Sequence, residues 1–469
     1  MPARRRATAL TLRAVLACTL AAATAGAQDV RPAASAVVVD TAADATADTT
    51  PAPPAVRIDL PLADLPYGTR FGGRAPSMQQ SLGVTAGVYD AAHLGIQRAW
   101  GRHTWLAKAT IAVTDYVVTG APFADAWLHE EWHRAVLGNR GIGSRNDVYR
   151  LNLFSETISV SHARDEDLAR LKREHPAEFV RLKAAGIEAE YALVTRLQRD
   201  QFYRGGRAWH TALYWLTTIN SVLYLADTTD TDAYTDDANR DEPTVAVRDI
   251  SGHDFTAWVR DLHRPGEPFE ARGVHPSGVG VNRYVKTTDL APEERRYLHR
   301  QGRLALLNFL DPNLLGIHGF TVRRSAGGPP LRANLTVRHA LTSFGHTVDA
   351  NVFLKQGPTN LFVVLHAYAN GARTFPGLDV ELVDQVRTVG GRRVELSPRL
   401  ALWAQPEGQA FRTQDARVGG LAALRVRVPI ARRLGALAEV EAKTAGWVAG
   451  VVQLDRAVNL RLGVSTTLW

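Results

Sequence analysis

Two hydrophobic periods divide this chain. Between about Ser81 and Leu315 apolar positions recur three and four residues apart, as in Leu106, Ala109, Ile111, Val113, Tyr116 and Val117, and again in Leu168, Leu171, Phe179 and Leu182. That spacing gathers them on one side of a helix, so residues 81–314 are predicted to be mainly helical. After about Leu315 the period drops to two. Val348, Ala350, Val352 and Leu354 alternate with Thr347, Asp349, Asn351 and Phe353; Leu424, Val426 and Val428 alternate with Arg425 and Arg427; Ala438, Val440 and Ala442 alternate with Glu439, Glu441 and Lys443. These segments, with Leu378–Leu382 and Val458–Val464, read as two-faced antiparallel strands, roughly eight in all, with turn candidates at Gly390-Gly391 and Pro406-Glu407-Gly408. The expected fold class is α+β, with a helical domain over 81–314 and an antiparallel β domain over 315–469.

Two architectures satisfy the alternation. A soluble sandwich turns the apolar face inward, whereas an eight-stranded membrane barrel turns it to lipid and pairs Arg425, Arg427, Glu439, Glu441 and Arg461 inside. The barrel is preferred for three reasons: a signal-like N-terminus, an even strand count packed into about 155 residues, and a terminal aromatic, Trp469. That ending resembles bacterial outer-membrane proteins, although Leu460, Leu462 and Val464 are out of phase with Trp469.

The N-terminus changes the charge arithmetic. Arg4, Arg5, Arg6 and Arg13 precede an apolar run from Ala14 to Ala23 and an Ala25-Gly26-Ala27 ending, the pattern of a secretory signal peptide over residues 1–27. Removing it takes four arginines from a formal +8 and leaves +4, so nucleic-acid binding loses its electrostatic support. It also removes Cys18, the only cysteine, so any metal must sit on His and carboxylates. Residues 28–80 read as low-complexity linker and lead-in. Ala208–Ala226 is interrupted by His210, Thr211, Thr217, Thr218, Asn220 and Ser221 and is expected to be a buried core helix rather than a membrane span. Asp227–Glu242 is expected to be a solvated acidic loop, His162–Asp167 a solvent-facing charged stretch, and Gly252–Tyr284 ordered loop rather than helix.

The chemistry concentrates in His129-Glu130-Glu131-Trp132-His133. Histidines four apart share one helix face and can hold one zinc ion, while Glu130 stands beside it to accept a proton from bound water. Pro122 suits the first turn of such a helix and Gly138 its end. The motif resembles that of the zincin metallopeptidases, in particular those whose third ligand is a Glu on a later helix, over about Leu106 to Asp200. The resemblance implies zinc on His129, His133 and one carboxylate, Glu130 as general base, and peptide-bond hydrolysis. The extended form of the motif is absent, since Val136 and Asn139 stand at its Gly and His positions.

Three carboxylates compete for the third place. Glu190 falls between Ile187, Val194 and Leu197 on the apolar face of its helix, where an ionised group needs a partner or a metal; Glu188 falls on the wetter side; Glu156 follows His133 by 23 residues. Glu190 ranks first, with Gly186 one turn earlier allowing close approach. His253, His275 and Tyr284 are candidate donors to a developing oxyanion. The expectation is an exported, outer-membrane-anchored zinc peptidase acting on a peptide or protein; the alternatives are a non-enzymatic membrane barrel with a helical plug and a structural metal site, or a soluble periplasmic protein.

Overall fold

The structure is a computed structural model that describes residues 56–67, 75–100, 104–120, 124–150, 159–205, 208–226, 231–322 and 328–468. The signal-like segment, Glu156 and Trp469 lie outside the described residues. Nine α-helices are present among the described ones: α1 (Met78–Trp100), α2 (Thr104–Gly120), α3 (Ala124–Asn139), α4 (Asp165–Glu174), α5 (Pro176–Arg204), α6 (Ala208–Ala226), α7 (Thr231–Asp241), α8 (Asp254–His263) and α9 (Pro292–Ala305). The strands are β1 (Val56–Leu65), β2 (Arg145–Asn146), β3 (Val160–Ser161), β4 (Phe320–Val322), β5 (Leu331–Thr342), β6 (Gly345–Gln356), β7 (Thr359–Ala369), β8 (Thr374–Leu382), β9 (Gln385–Val389), β10 (Arg392–Pro406), β11 (Ala416–Pro429), β12 (Leu434–Lys443) and β13 (Ala457–Leu468). The α+β class expected from the two periods is the one found.

Eleven strands form one antiparallel sheet in the order β1-β13-β12-β11-β10-β8-β7-β6-β5-β4, with β9 paired to β10. The expected number was about eight. Two differences account for the count: β1 comes from the segment read as lead-in and pairs with β13, and the short β4 and β9 carry too few residues to show a period. β1 and β4 end the order and are not paired with each other among the described residues. Even so, the sheet is strongly curled. Arg57 on β1 ion-pairs with Glu395 on β10, four strands away, and Arg427 on β11 reaches Asp59 on β1. A flat sheet would hold β1 and β10 about 19 Å apart.

The concave side is charged and the convex side apolar. Arg425, Glu439, Arg461 and Asp64 lie directly opposite one another across β11, β12, β13 and β1, forming a row of alternating sign. Glu439, Glu441, Asn459 and Arg461 are buried, while Leu400 and Leu402 are 64% and 66% exposed, and Leu335, Leu365, Val418, Val440 and Val458 are exposed on the same outer face. This is the distribution named above for the barrel, with charges paired inside and the apolar positions outward.

The 29-residue α5 fills the concavity. Pro176 at its first turn and Gly205 after its end, at φ 84°, mark its limits. Tyr191 donates to Asp349 on β6, Arg199 pairs with Glu381 on β8, and Tyr203 donates to the Leu361 carbonyl. Its other side packs with α3, α6 and α8 around Leu128, Trp132, Phe179, Leu182, Leu193 and Leu213.

Three expectations about loops are corrected. The acidic stretch is helical as α7, because Asp232 and Asp236, one turn apart, face a common partner segment: Asp232 accepts from Thr287, and Asp236 pairs with Lys286. Within Gly252–Tyr284, residues 254–263 are α8, because Phe255, Trp258, Val259 and Leu262 recur at helical spacing and are all buried; the flanking glycines and prolines obscured this period. Within His162–Asp167, Asp165 and Asp167 are buried at the first turn of α4, where acids suit the helix dipole and Arg283 pairs with Asp165. Ala208–Ala226 is helical as expected, and no helix among the described residues is long and apolar enough to cross a membrane.

Candidate metal centre

His129 and His133 sit one turn apart on α3, with ring centroids 5.0 Å apart. Their faces are set by packing on both flanks of the helix, where Leu128, Trp132, Ala135 and Val136 are fully buried. The helix approaches α5 at Gly186, where an added Cβ would stand 2.0 Å from His129 Nε2. Only glycine admits that approach, as the sequence suggested.

Each imidazole has one nitrogen committed to α5. His129 Nδ1 lies 3.0 Å from Glu190 Oε1, and His133 Nδ1 donates to the Leu182 carbonyl. These contacts orient both Nε2 lone pairs toward Asp254 Oδ2, at 3.2 Å from His129 and 3.4 Å from His133. The three ligand atoms lie within 4.8 Å of one another, and all three residues are buried. A tetrahedral zinc with bonds of about 2.0–2.1 Å holds its ligand atoms about 3.3–3.4 Å apart, close to both Asp254 edges.

Glu190, the third ligand expected from sequence, meets His129 on Nδ1, the nitrogen that faces away from the cluster, and Asp254 is the carboxylate on the Nε2 side. Glu190 also accepts from Asn220 at 3.1 Å, and its Oε2 is buried without a hydrogen bond. A carboxylate on the far nitrogen fixes the tautomer and raises the basicity of a metal-binding imidazole. Glu188 is excluded from the cluster: it faces β12–β13 loop residues, pairing with Arg181 and accepting from Gly450. Glu131, the other acid of the motif, pairs with Arg134 and accepts from Asn146.

Asp254 is held from behind. Ser251 donates to its Oδ1 at 2.8 Å, and Tyr224 on α6 donates to Oδ2 at 3.2 Å. Burial opposes charge on His129 and Asp254, yet contacts with Asp254 and Glu190 hold His129 well above its ordinary value, and His133 and His129 hold Asp254 well below the usual carboxylate range. Burial pushes Glu130 well above that range; Asp249, Asp254 and Asp147 add to the shift and His129 opposes it. A carboxyl whose affinity for a proton is raised in this way is suited to proton transfer.

The candidate oxyanion donors separate. His253 begins α8 next to Asp254 and packs against Tyr224 at 5.1 Å. Tyr284 instead donates to Glu242 and accepts from the Asp249 amide, and His275 pairs with Ser277; neither touches the cluster. Sequence reasoning missed Asp254 and Tyr224. The signal available for Asp254 was its position at the start of a periodic segment, directly after a histidine. A cavity of about 230 Å³ opens elsewhere, between α5 and the inner face of the sheet, lined by Tyr191, Arg196, Asp349 and Tyr368. Its lining includes none of the cluster residues. Comparison of the chain with family models, curated proteins and solved structures returns no match.

Proposed function

We propose that the chain is an exported zinc-dependent peptidase held in an outer membrane by its curled sheet, which takes the part of the barrel anticipated from the strand alternation. The observation that carries the reading is the convergence of His129 Nε2 and His133 Nε2 on Asp254 Oδ2, at 3.2 and 3.4 Å, with Glu130 following His129 in the chain. The metal-binding residues would be His129, His133 and Asp254, and a bound zinc supplies a water whose pKa falls to near 7. Glu130 would serve as the proton carrier of the hydrolysis, accepting a proton from the attacking water and handing one to the leaving amine. Glu190 and the Leu182 carbonyl keep the two imidazoles in the metal-binding tautomer. The outward apolar positions of the sheet support a lipid-facing wall, and the paired charges of its concave side support an interior screened from lipid.

The test is zinc content and peptide hydrolysis of the wild type against Glu130→Gln. One zinc per chain in both proteins, with hydrolysis slowed about 10²–10⁴-fold in the variant, is the expected outcome. A second reading is favoured by α5 filling the sheet's concavity: a non-enzymatic membrane β protein with a helical plug and a structural metal site. Stoichiometric zinc with no hydrolysis by either protein would select it. Recovery in the soluble fraction without detergent would reject the membrane anchor in both readings.

A further inference from the structure

The helices beside the sheet are built inside out. On α1 the exposed positions include Val84, Val88, Ala91, Ala92, Gly95 and Ala99, an apolar stripe one to four residues apart that runs for about 22 Å, with the polar Gln97 and Arg98 exposed in the last turn. On α2, over the described residues 105–115, they are Trp105, Ala109, Ala112 and Val113, with Lys108 as the one charge among them, within a turn of Trp105. Val88, Trp105 and Val113 are 63%, 68% and 62% exposed. Tyr89, Asp90, His93 and Asp115 of the same helices point inward, Arg98 and Lys108 outward. His93 Nε2 meets Asp115 Oδ1 at 2.7 Å, Tyr89 donates to Asp115, His210 of α6 meets Asp90, and Trp209 donates to Asp90 at 3.0 Å.

A helix facing water shows the opposite arrangement, with apolar residues in and charges out. Scattered exposed apolar residues on a soluble surface are ordinary, but a continuous stripe over buried ion pairs is not. The stripe is also continuous with the outer face of the sheet. α1 lies against β1 so closely that a Cβ at Gly83 or Gly87 would meet Pro61 or Ile58 at 2.7 Å, and Gln80 donates to the carbonyl of Leu62, itself exposed on β1.

We propose that α1 and α2 are lipid-facing wall elements: they rest side-on against the hydrocarbon of the same bilayer as the sheet, extending its apolar surface past the β1 edge. The inference rests on the membrane reading above and adds that part of the helical region lies in the membrane with the sheet. Lys108 and Trp105 at the start of α2, and Arg98 and Trp100 at the end of α1, are residue types that sit at the headgroup level and mark the limit of the buried band. Because the polar side of each helix is satisfied within the protein, neither needs the uniform hydropathy of a lone spanning helix.

Site-directed labelling in vesicles tests this. In a Cys18→Ser background, single cysteines at Ala91 and Ala112, both small and exposed, carry an environment-sensitive fluorophore, and the protein is reconstituted in phosphatidylcholine with or without acyl-chain-brominated lipid. Leu400→Cys on the outer sheet face reports the membrane reading itself, and Glu166→Cys on α4 serves as an aqueous control. Zinc content of each labelled protein checks that it has folded. Quenching at Ala91 and Ala112 to the extent seen at Leu400 is the expected result. Quenching at Leu400 alone overturns the proposal and leaves the sheet in the membrane. No quenching at any position removes both. Labels at Ala91 and Ala112 shielded from lipid and aqueous quenchers alike, in a concentration-dependent manner, would show a second copy covering the face and would also overturn it.

Discussion

The molecule buries two polar assemblies, and they differ in electrical balance. Inside the sheet most acids meet a guanidinium: Glu439 lies between Arg425 and Arg461, Glu441 also pairs with Arg461, and Asp59 and Asp384 lie between Arg57 and Arg427. Around α3 the groups that converge are acceptors. His129, His133 and Asp254 bring ligand atoms together, while Lys183 donates to the Ile250 carbonyl. A balanced lattice is complete as it stands, whereas converging buried acceptors call for a cation. Both are equally buried, so burial alone does not distinguish a structural network from a site.

The largest test of that contrast is Asp254→Ala, which removes one of three converging atoms. It should abolish stoichiometric zinc, read by elemental analysis, while leaving the sheet's heat resistance in detergent unchanged; full zinc retention would place the third ligand elsewhere. Next, Arg461→Leu leaves buried Glu441 without its guanidinium and Glu439 with Arg425 alone, and should lower unfolding stability by about 3–5 kcal/mol without altering zinc content. Glu190→Gln keeps a hydrogen-bonding group on His129 Nδ1 and should weaken zinc binding about 10–100-fold in chelator competition. A loss as complete as that of Asp254→Ala would return Glu190 to the ligand set.

The smallest effect concerns Glu242, whose carboxyl burial raises to about 8, with Asp249 adding to the shift. Between the ordinary glutamate value and about 8 the folded state binds the extra proton, so stability falls as pH rises through that window. Glu242→Gln should flatten the decline, measured as unfolding midpoints at pH 5 and pH 8.

The strand region was legible because period two is short-range: Arg425/Val426/Arg427 and Glu439/Val440/Glu441 reveal their two faces within three residues. Whether those faces point inward or outward depends on curvature, which no local pattern carries. β1 was missed because Arg57, Asp59 and Asp64 are acceptable in a linker and become partners only once the chain returns to pair with β13. At the candidate metal centre the helix-borne part, His129, His133 and the clearance at Gly186, followed from spacing. Asp254 did not, because 121 residues separate it from His133 and only the packing of α8 on α5 brings it there. Glu190 was selected correctly as a buried acid in need of a partner; the sequence could not tell which imidazole nitrogen it would meet.

One helix serves both assemblies. The first half of α5 gives Leu182, Gly186 and Glu190 to the histidines, and the next turns give Tyr191, Arg199 and Arg204 to the strands. The sheet is thus the clamp on the rod that aligns the imidazoles, and exchanging it for another anchor would leave that rod without its grip.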